Sequence, residues 1–599
     1  MDLNKSQQQA IFHKEGPMMV LAGPGSGKTT VISHRALQLV ESGVPPWQIL
    51  VITFSKAAAT EMENRFKSLS EGENCTFGTF HAIFFRILRQ RYGFGLEQVM
   101  QEYERREIIK KLLADAGIAA DEDMQSEVRN EISLVKNELH DLQYYNSVSM
   151  GADEFRQVFN QYEDLKQEQN KIDFDDMLTL CYKLWKTEPN NLVAWQQKFP
   201  YIMVDEFQDI NHVQYECMRM LSAKPHHLFV VGDDDQSIYR FRGARPEFLL
   251  RFPEDFPNVK RVLLETNYRS TNQVISFSNG LISQNKLRYD KVIKGTGKSG
   301  PKPKIVKCKD QNHEAASIAA KIKKSKNFDE IAVVYRVNMQ ARAFMDAFMQ
   351  ANIPYVVKDE ISIIYEHWIA QDMFAYLRLS RGIGNAQDIE RIINKPFRYI
   401  SKAFLQKARQ DNFDIFQYYT KSDMLNSAQQ QRIEELILDL RQMGKRTTED
   451  AIRWLRKRAG YDEHIKEHCE YRKLNPSGLY EIAKELQDAS APFPKIEDFL
   501  VHGEEAVLNK PESEGPRVTL STMHSAKGLE FDTVYIASAI EGLIPHELSK
   551  SPAALEEECR LFYVGATRAR HNLYISTINK RHEKDAEASR FIKNLKKQT

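Results

Sequence analysis

The chain has 599 residues, too many for one hydrophobic core, and at about 150 residues per domain it divides into roughly four. Hydrophobic residues make up 42% and charged residues 28%, which describes a globular protein and excludes a disordered or fibrous one. Lysine plus arginine number 83 against 82 acids, a net charge of +1, so any surface for a polyanion has to be a local patch.

The N-terminus, MDLNKSQQQA, is polar and without an apolar signal core, and no run of 18 apolar residues follows anywhere, so neither a secretory leader nor a membrane span is expected. Apolar runs that read as buried strands come in two sets. The first is 17–22, 49–54, 201–204, 228–232 and 261–264; the second is 304–307, 331–335, 355–357, 518–522, 533–537 and 572–576. Helical stretches at 29–42 and 56–69 alternate with the first strands, the pattern of a doubly wound parallel α/β sheet. Segments 91–181 and 361–514 are helix-like insertions, the second bracketed by Gly382-Ile383-Gly384 and Asn475-Pro476-Ser477-Gly478. The expected architecture is α/β: a first core from 1–90 and 182–273, a second from 274–360 and 515–599, each split by its helical insertion. Six scattered cysteines without a CxxC pair argue against an iron–sulfur or zinc framework and fit a reducing cytoplasm.

Residues 18–30 read MMVLAGPGSGKTT: an apolar strand, a glycine-rich turn, then a helix opening at Lys28. That is the setting of a phosphate-binding loop, here Ala22-Gly23-Pro24-Gly25-Ser26-Gly27-Lys28-Thr29-Thr30. Gly23, Gly25 and Gly27 let backbone N–H groups approach phosphate oxygens, and the helix N-terminus adds positive potential. Lys28 is placed to bridge β- and γ-phosphates and Thr29 to bind Mg²⁺; Ala22 departs from the general pattern, which has glycine there. The strand at 201–204 runs into Asp205-Glu206, with Asp205 suited to holding Mg²⁺ through water and Glu206 to activating the attacking water. Taken alone those two are as readily surface acids; beside a phosphate loop they define an NTPase.

Longer motifs surround these residues: LNKSQQQA (3–10), VDEFQDIN (204–211), VGDDDQSIYRFRGA (231–244), LETNYRST (264–271), STMHSAKGLEF (521–531) and EEECRLFYVGATRAR (556–570). Together, and in this order, they resemble the UvrD/PcrA/Rep family of superfamily-one DNA helicases, across both expected cores; the insertions match only in position and helical character. The resemblance implies two RecA-like cores. It implies that Gln7 reads the adenine edge, Tyr268 stacks on the base, Glu530 meets the ribose and Gln236 senses the γ-phosphate. Arg269 and Arg568 match two arginines that stabilise charge on the transferring phosphoryl group, for which positioned guanidinium groups are well suited. With Arg568 taken from the second core, ATP is expected between the cores, its hydrolysis opening and closing them. Matching positions for single-stranded DNA are Phe54, Thr79, Phe80, His81, Tyr239, Phe241, Arg242, Arg336, Asn338 and His524, although Phe54 and Phe80 read equally as core.

The chain also departs from the family. Phe241 stands where tryptophan is usual, with less area to stack. Lys56-Ala57 replace an Asn-Lys pair, and Thr30 replaces an arginine that faces the adenine. A hairpin that usually carries an aromatic strand-separation pin corresponds here to STINKRHEKDAEA (576–588), in which His582 is the only ring. Translocation with weak duplex separation is therefore expected, and with the sequence ending at Thr599 neither the usual tail nor a fused nuclease is expected. The basic segment 453–458 (RWLRKR) reads as a helix face or a duplex contact, and His464 with His468 has metal-chelating spacing but no further ligands nearby. The expectation is an ATP- and Mg²⁺-dependent 3′→5′ DNA helicase acting on single strands and junctions. Two rivals remain: an RNA-directed relative, and a switch or translocase subunit of a larger repair or phage-defence complex.

Overall fold

The computed structural model describes residues 3–70, 74–118, 120, 122–223, 227–325, 327–359, 364–410, 415–420, 422–472, 476–508 and 515–598. Asn475 of the second bracketing turn, and residues 361–363 and 509–514 at the edges of the second insertion, lie outside them. The chain divides into two compact units, Met1–Lys302 with Ser549–His571, and Pro303–Leu548 with Asn572–Thr599.

The first unit is built on a parallel sheet of β1 (Met18–Ala22), β2 (Ile49–Thr53), β3 (Thr76–Thr79), β4 (Tyr201–Val204), β5 (His227–Gly232) and β6 (Lys260–Leu264), ordered β3-β2-β4-β5-β1-β6. β1 and β2 are buried along their whole length, which is why they read as continuous apolar runs. Alternate residues serve opposite faces: Met18, Val20 and Ala22 join the core under α2 (Lys28–Glu41) and α3 (Lys56–Leu69), while Met19 and Leu21 join the core under α4 (Phe80–Tyr92). β3 has no counterpart in the sequence reading, because its four residues TFGT are short and only Gly78 among them is fully buried. Within 91–181 the helices Glu102–Asp115, Glu122–Asn137 and Ala152–Glu168 close their own apolar core around Phe155, Val158 and Tyr162.

The second sheet takes the strands Lys304–Cys308, Ile331–Tyr335, Tyr355–Val357, Val518–Thr522, Phe531–Ile536 and Ala569–Ile578, in the spatial order third, fourth, second, fifth, sixth, first. Within 361–514, helices from Trp368–Ser380 to Ile496–Leu508 surround a separate core that includes Met373, Phe374 and Phe499. The units differ from the expected division at 274–302 and 549–571. Helices Asn272–Ile282 and Pro552–Ala566 pack together, the Cys559 thiol donating to Leu281 O at 3.3 Å and Asn285 Nδ2 to Glu556 O at 2.8 Å, and both segments fall within the first unit. Among the described residues no helix is long and apolar enough to cross a membrane.

Candidate functional site

The phosphate loop leaves the C-terminal end of β1 and turns into α2 at Gly27, which caps the helix in the left-handed region at φ 85°. Gly25 is also left-handed, at φ 65°, and a Cβ there would stand 2.6 Å from Arg269 Cβ, closer than any real side chain tolerates. The loop is braced from both sides: Ser26 Oγ donates to Gly23 O at 2.7 Å, and Tyr268 N donates to Gly25 O at 2.9 Å. Gln7 closes a capping box with Asn4 and sends Nε2 to Ser26 O at 3.2 Å, while Asn4 Nδ2 donates to the Tyr268 hydroxyl at 2.7 Å. Gln7, Tyr268 and the loop thus form one cluster, with Asn4 an unforeseen member. At Thr30, Arg65 of α3 donates to the side-chain hydroxyl, Oγ1, at 2.9 Å.

β4 delivers the two acids. Asp205, 7% exposed, is tied through its N–H to Ile52 O at 2.9 Å. Glu206 then adopts φ 50°, ψ 42°, a left-handed conformation uncommon for a residue with a Cβ. Its carboxylate meets Lys28 Nζ at 3.0 Å. Burial alone would lower the Lys28 pKa, but the charges of Glu206, Asp205 and Asp233 outweigh it and hold the ammonium above its ordinary value.

From Glu206 a hydrogen-bonded chain runs through the site. Gln208 Nε2 donates to Glu206 Oε2 at 2.5 Å, and Gln208 Oε1 accepts from Asp233 N at 2.9 Å. The Asp233 carboxylate accepts from Gln236 Nε2 at 2.6 Å, and Gln236 Oε1 accepts from Arg568 Nη2 at 3.1 Å. Arg568, 2% exposed, is aimed by its Nε bond to Val564 O at 2.9 Å. It lies between helix Pro552–Ala566, grouped with the first unit, and the strand Ala569–Ile578 of the second sheet. Arg269 lies nearby, its N–H held by Asn267 Oδ1 at 2.8 Å and its guanidinium 3.5 Å from Thr567 O. Gln208 escaped the sequence reading, although a glutamine in the otherwise buried turn 207–209 is a signal for a polar network. Glu530 is exposed in the second unit, ahead of the strand Phe531–Ile536.

The DNA candidates separate into groups. Phe54, after β2, stacks on Tyr239 with ring centroids 5.4 Å apart and planes 6° from parallel, and Phe241 follows at 6.1 Å from Tyr239. The Arg242 guanidinium lies over both Tyr239 and Phe241, at 5.3 and 5.4 Å. Phe54 and Phe241 are 43% and 63% exposed, which leaves ring faces open for stacking. Phe80 does not join them. It is 4% exposed and packs edge-on against Phe84, because α4 turns this position inward, so it is core. Thr79 caps α4 by accepting from Ala82 N, and His81 meets Phe174 edge-on at 5.8 Å, burial lowering its pKa. Arg336, Asn338 and His524 belong to the second unit. Arg336 N donates to Gln340 Oε1, Asn338 is exposed, and His524 sits on a turn where Asp359 accepts from Thr522 N at 2.8 Å.

Segment 453–458 is a helix face, at the C-terminal end of helix Thr448–Lys457, as one of its two readings has it, and 576–588 is a short polar hairpin. In segment 453–458, Arg453 pairs with Glu449, Asp450 and Glu583, and Arg456 with Asp462, so these charges serve internal ion pairs. The stretch 576–588 forms a hairpin of Lys580–Arg581 and Lys584–Asp585 turned by His582 and Glu583, both at positive φ. Its tip is bound to the second insertion: His582 Nδ1 lies 2.9 Å from Asp488 Oδ2, and Gln487 Nε2 donates to Glu583 Oε1 at 3.1 Å.

A glycine-rich loop before a helix, acids at the end of a parallel strand two places away in the sheet, and the half-buried Arg269 and buried Arg568 beyond them define a P-loop ATPase, with a cluster of aromatic and basic side chains beside them. The family model described as UvrD/REP helicase N-terminal domain matches residues 3–257, and that described as UvrD-like helicase C-terminal domain matches residues 262–580. The chain belongs to the UvrD/REP helicase family and is an ATP-dependent DNA helicase. It is 33% identical to the putative ATP-dependent DNA helicase YjcD of Bacillus subtilis, over 98% of this chain and 80% of that protein. It is 32% identical to the probable DNA helicase II homolog of Rickettsia felis, over 96% and 92%, and 31% identical to the ATP-dependent DNA helicase PcrA of Staphylococcus epidermidis, over 99% and 86%.

Proposed function

We propose that this helicase moves 3′→5′ along single-stranded DNA using Mg-ATP and works at junctions of single and double strands in repair, recombination or replication. The observation that carries the reading is the hydrogen-bonded chain from Glu206 through Gln208 and Asp233 to Gln236 and Arg568. Tyr239 of the aromatic track lies three residues beyond Gln236, so a shift of the sensor is passed to the DNA-facing rings through one short turn. In this reading Glu206 orients and deprotonates the attacking water. Lys28, Gln236, Arg269 and Arg568 stabilise charge on the transferring phosphoryl group. Thr29 and the buried Asp205 offer a hydroxyl and a carboxylate, hard oxygen donors that would hold Mg²⁺, which would supply positive charge against the phosphate oxygens. A cytoplasmic location is part of the same reading, supported by the absence of any disulfide among the six cysteines.

Unwinding of 3′-tailed, 5′-tailed and blunt duplexes at one stated salt concentration tests polarity, since phosphate contacts make binding salt-dependent. Only the 3′-tailed duplex is expected to open, and equal opening of the 5′-tailed one sinks the assignment. The hairpin at 580–585 favours a second reading, a translocase with little unwinding of its own, because its tip carries no large aromatic ring and is engaged by the second insertion. Processive opening of a long tailed duplex by the purified chain would discard it.

A further inference from the structure

Three consecutive aspartates lie inside the first unit, Asp233, Asp234 and Asp235, with 0%, 1% and 1% exposure. Adjacent buried carboxylates repel one another and lose hydration, so they persist only with countercharge. It comes from the loop after helix Asn272–Ile282. Arg288 forks onto Asp235, with Nε and Nη2 at 2.8 and 2.7 Å from its two oxygens. Lys291, whose side chain is 0% exposed, places Nζ 3.1 Å from Asp233 Oδ1 and 3.0 Å from Asp235 Oδ2, and also bonds Asp234. Burial works against its charge, but the three carboxylates more than compensate and hold its pKa above the ordinary lysine value.

Asp233 therefore has its two oxygens committed in different directions, Oδ1 to Lys291 and to the Asp235 N–H at 3.2 Å, and Oδ2 to Gln236 Nε2. A glutamine amide has one donor end and one acceptor end. With Nε2 spent on Asp233, Gln236 Oε1 is turned toward Arg568 Nη2, 3.1 Å away. The Asp233 backbone N–H holds Gln208, which in turn holds Glu206. Sensor, arginine and water-activating acid are all aligned through one aspartate, and Lys291 is the cation that fixes its orientation.

We infer that Lys291 is a positioning residue for ATP hydrolysis, setting through Asp233 the orientation of Gln236 and Arg568; this rests on the ATP-site reading given above. Lys28 is the competing cation, since its charge is already coupled to that of Asp233. Without Lys291, Asp233 is drawn toward Lys28, and both the phosphate lysine and the sensor amide lose their aim.

The test measures steady-state ATPase activity with single-stranded DNA for the full chain, Lys291→Met, the double variant Lys291→Met/Asp234→Asn, and Lys28→Ala. The double variant removes one buried negative charge along with the positive one, so it separates loss of neutralisation from loss of aim. Positioning by Lys291 predicts that kcat falls about 10- to 100-fold in both Lys291 variants while KM for ATP stays within about twofold. Recovery of wild-type kcat in the folded double variant reduces Lys291 to a neutralising charge and overturns the inference. So does a fall confined to KM, or failure of both variants to fold. Normal hydrolysis by Lys28→Ala is a different result: it refutes the ATP-site reading itself, whatever the Lys291 variants do.

Discussion

Glu206 occupies a backbone conformation that a side chain with a Cβ rarely adopts, at φ 50°, immediately after a buried strand. The left-handed turn takes the carboxylate off the line of β4 and brings it to Lys28 at 3.0 Å and to Gln208. Strain of this kind persists only where surrounding bonds over-determine it, and here the Asp205 N–H to Ile52 O bond below and the Gln208 bond above do so. Glu206→Gln keeps the shape and removes the basic oxygen. Its expected effect is a fall of roughly 10³-fold in turnover with nucleotide binding retained, a loss in the range of a removed general base. Single-turnover hydrolysis beside a fluorescent-nucleotide titration checks it, and unimpaired turnover would falsify the role given to Glu206.

At the level of single elements, sequence and structure agree where local chemistry is decisive and part where packing is. β1 and α2 were legible because an all-apolar strand followed by Gly-rich residues and Lys28-Thr29 leaves few alternatives. α4 was not read as an element, nor was it read which of Phe80 and His81 it turns inward, since an aromatic at a helix start serves a core or a surface equally well. The helix Tyr461–Arg472 carries a consequence for pH. Burial, and then the charge of Lys395, lower the His464 pKa from 6.5 to about 4. Between those values the unfolded chain holds a proton that the folded chain lacks, so folding is favoured in full above pH 6.5 and loses ground as pH falls toward 4. His464→Gln removes this liability. Its thermal midpoint is expected to drop less than that of the parent chain between pH 7 and 5, and equal drops would contradict the assignment.

For the whole molecule, the residues assigned to ATP, Glu530 excepted, fall in one compact unit. Ligand binding to a folded state raises its stability by about 2.7 kcal/mol at a concentration of 100 times Kd. A nonhydrolysable ATP analogue with Mg²⁺ should therefore raise one of two thermal transitions and leave the other nearly unmoved, provided the units melt separately. Calorimetry decides, and equal shifts of both transitions would count against an ATP site within the first unit. The aromatic track is larger in reach than any one motif: Phe54 and Tyr239 are 185 positions apart in the chain yet stack face to face.

Sequence alone determined the chemistry at each motif, because a phosphate loop, a strand ending in Asp205-Glu206 and the arginines Arg269 and Arg568 need particular residue types whatever surrounds them. It also determined the α/β class and located every strand of the second sheet, most directly the fully buried apolar runs Ile331–Tyr335 and Val518–Thr522. Only the tertiary structure decided that Arg568 reaches Gln236, that Arg65 stands at Thr30, that Phe80 is core and that Lys291 neutralises three buried acids. Those are matters of which distant segments share space. Countercharge, aim and burial belong to pairs of residues, and no local pattern records the partner.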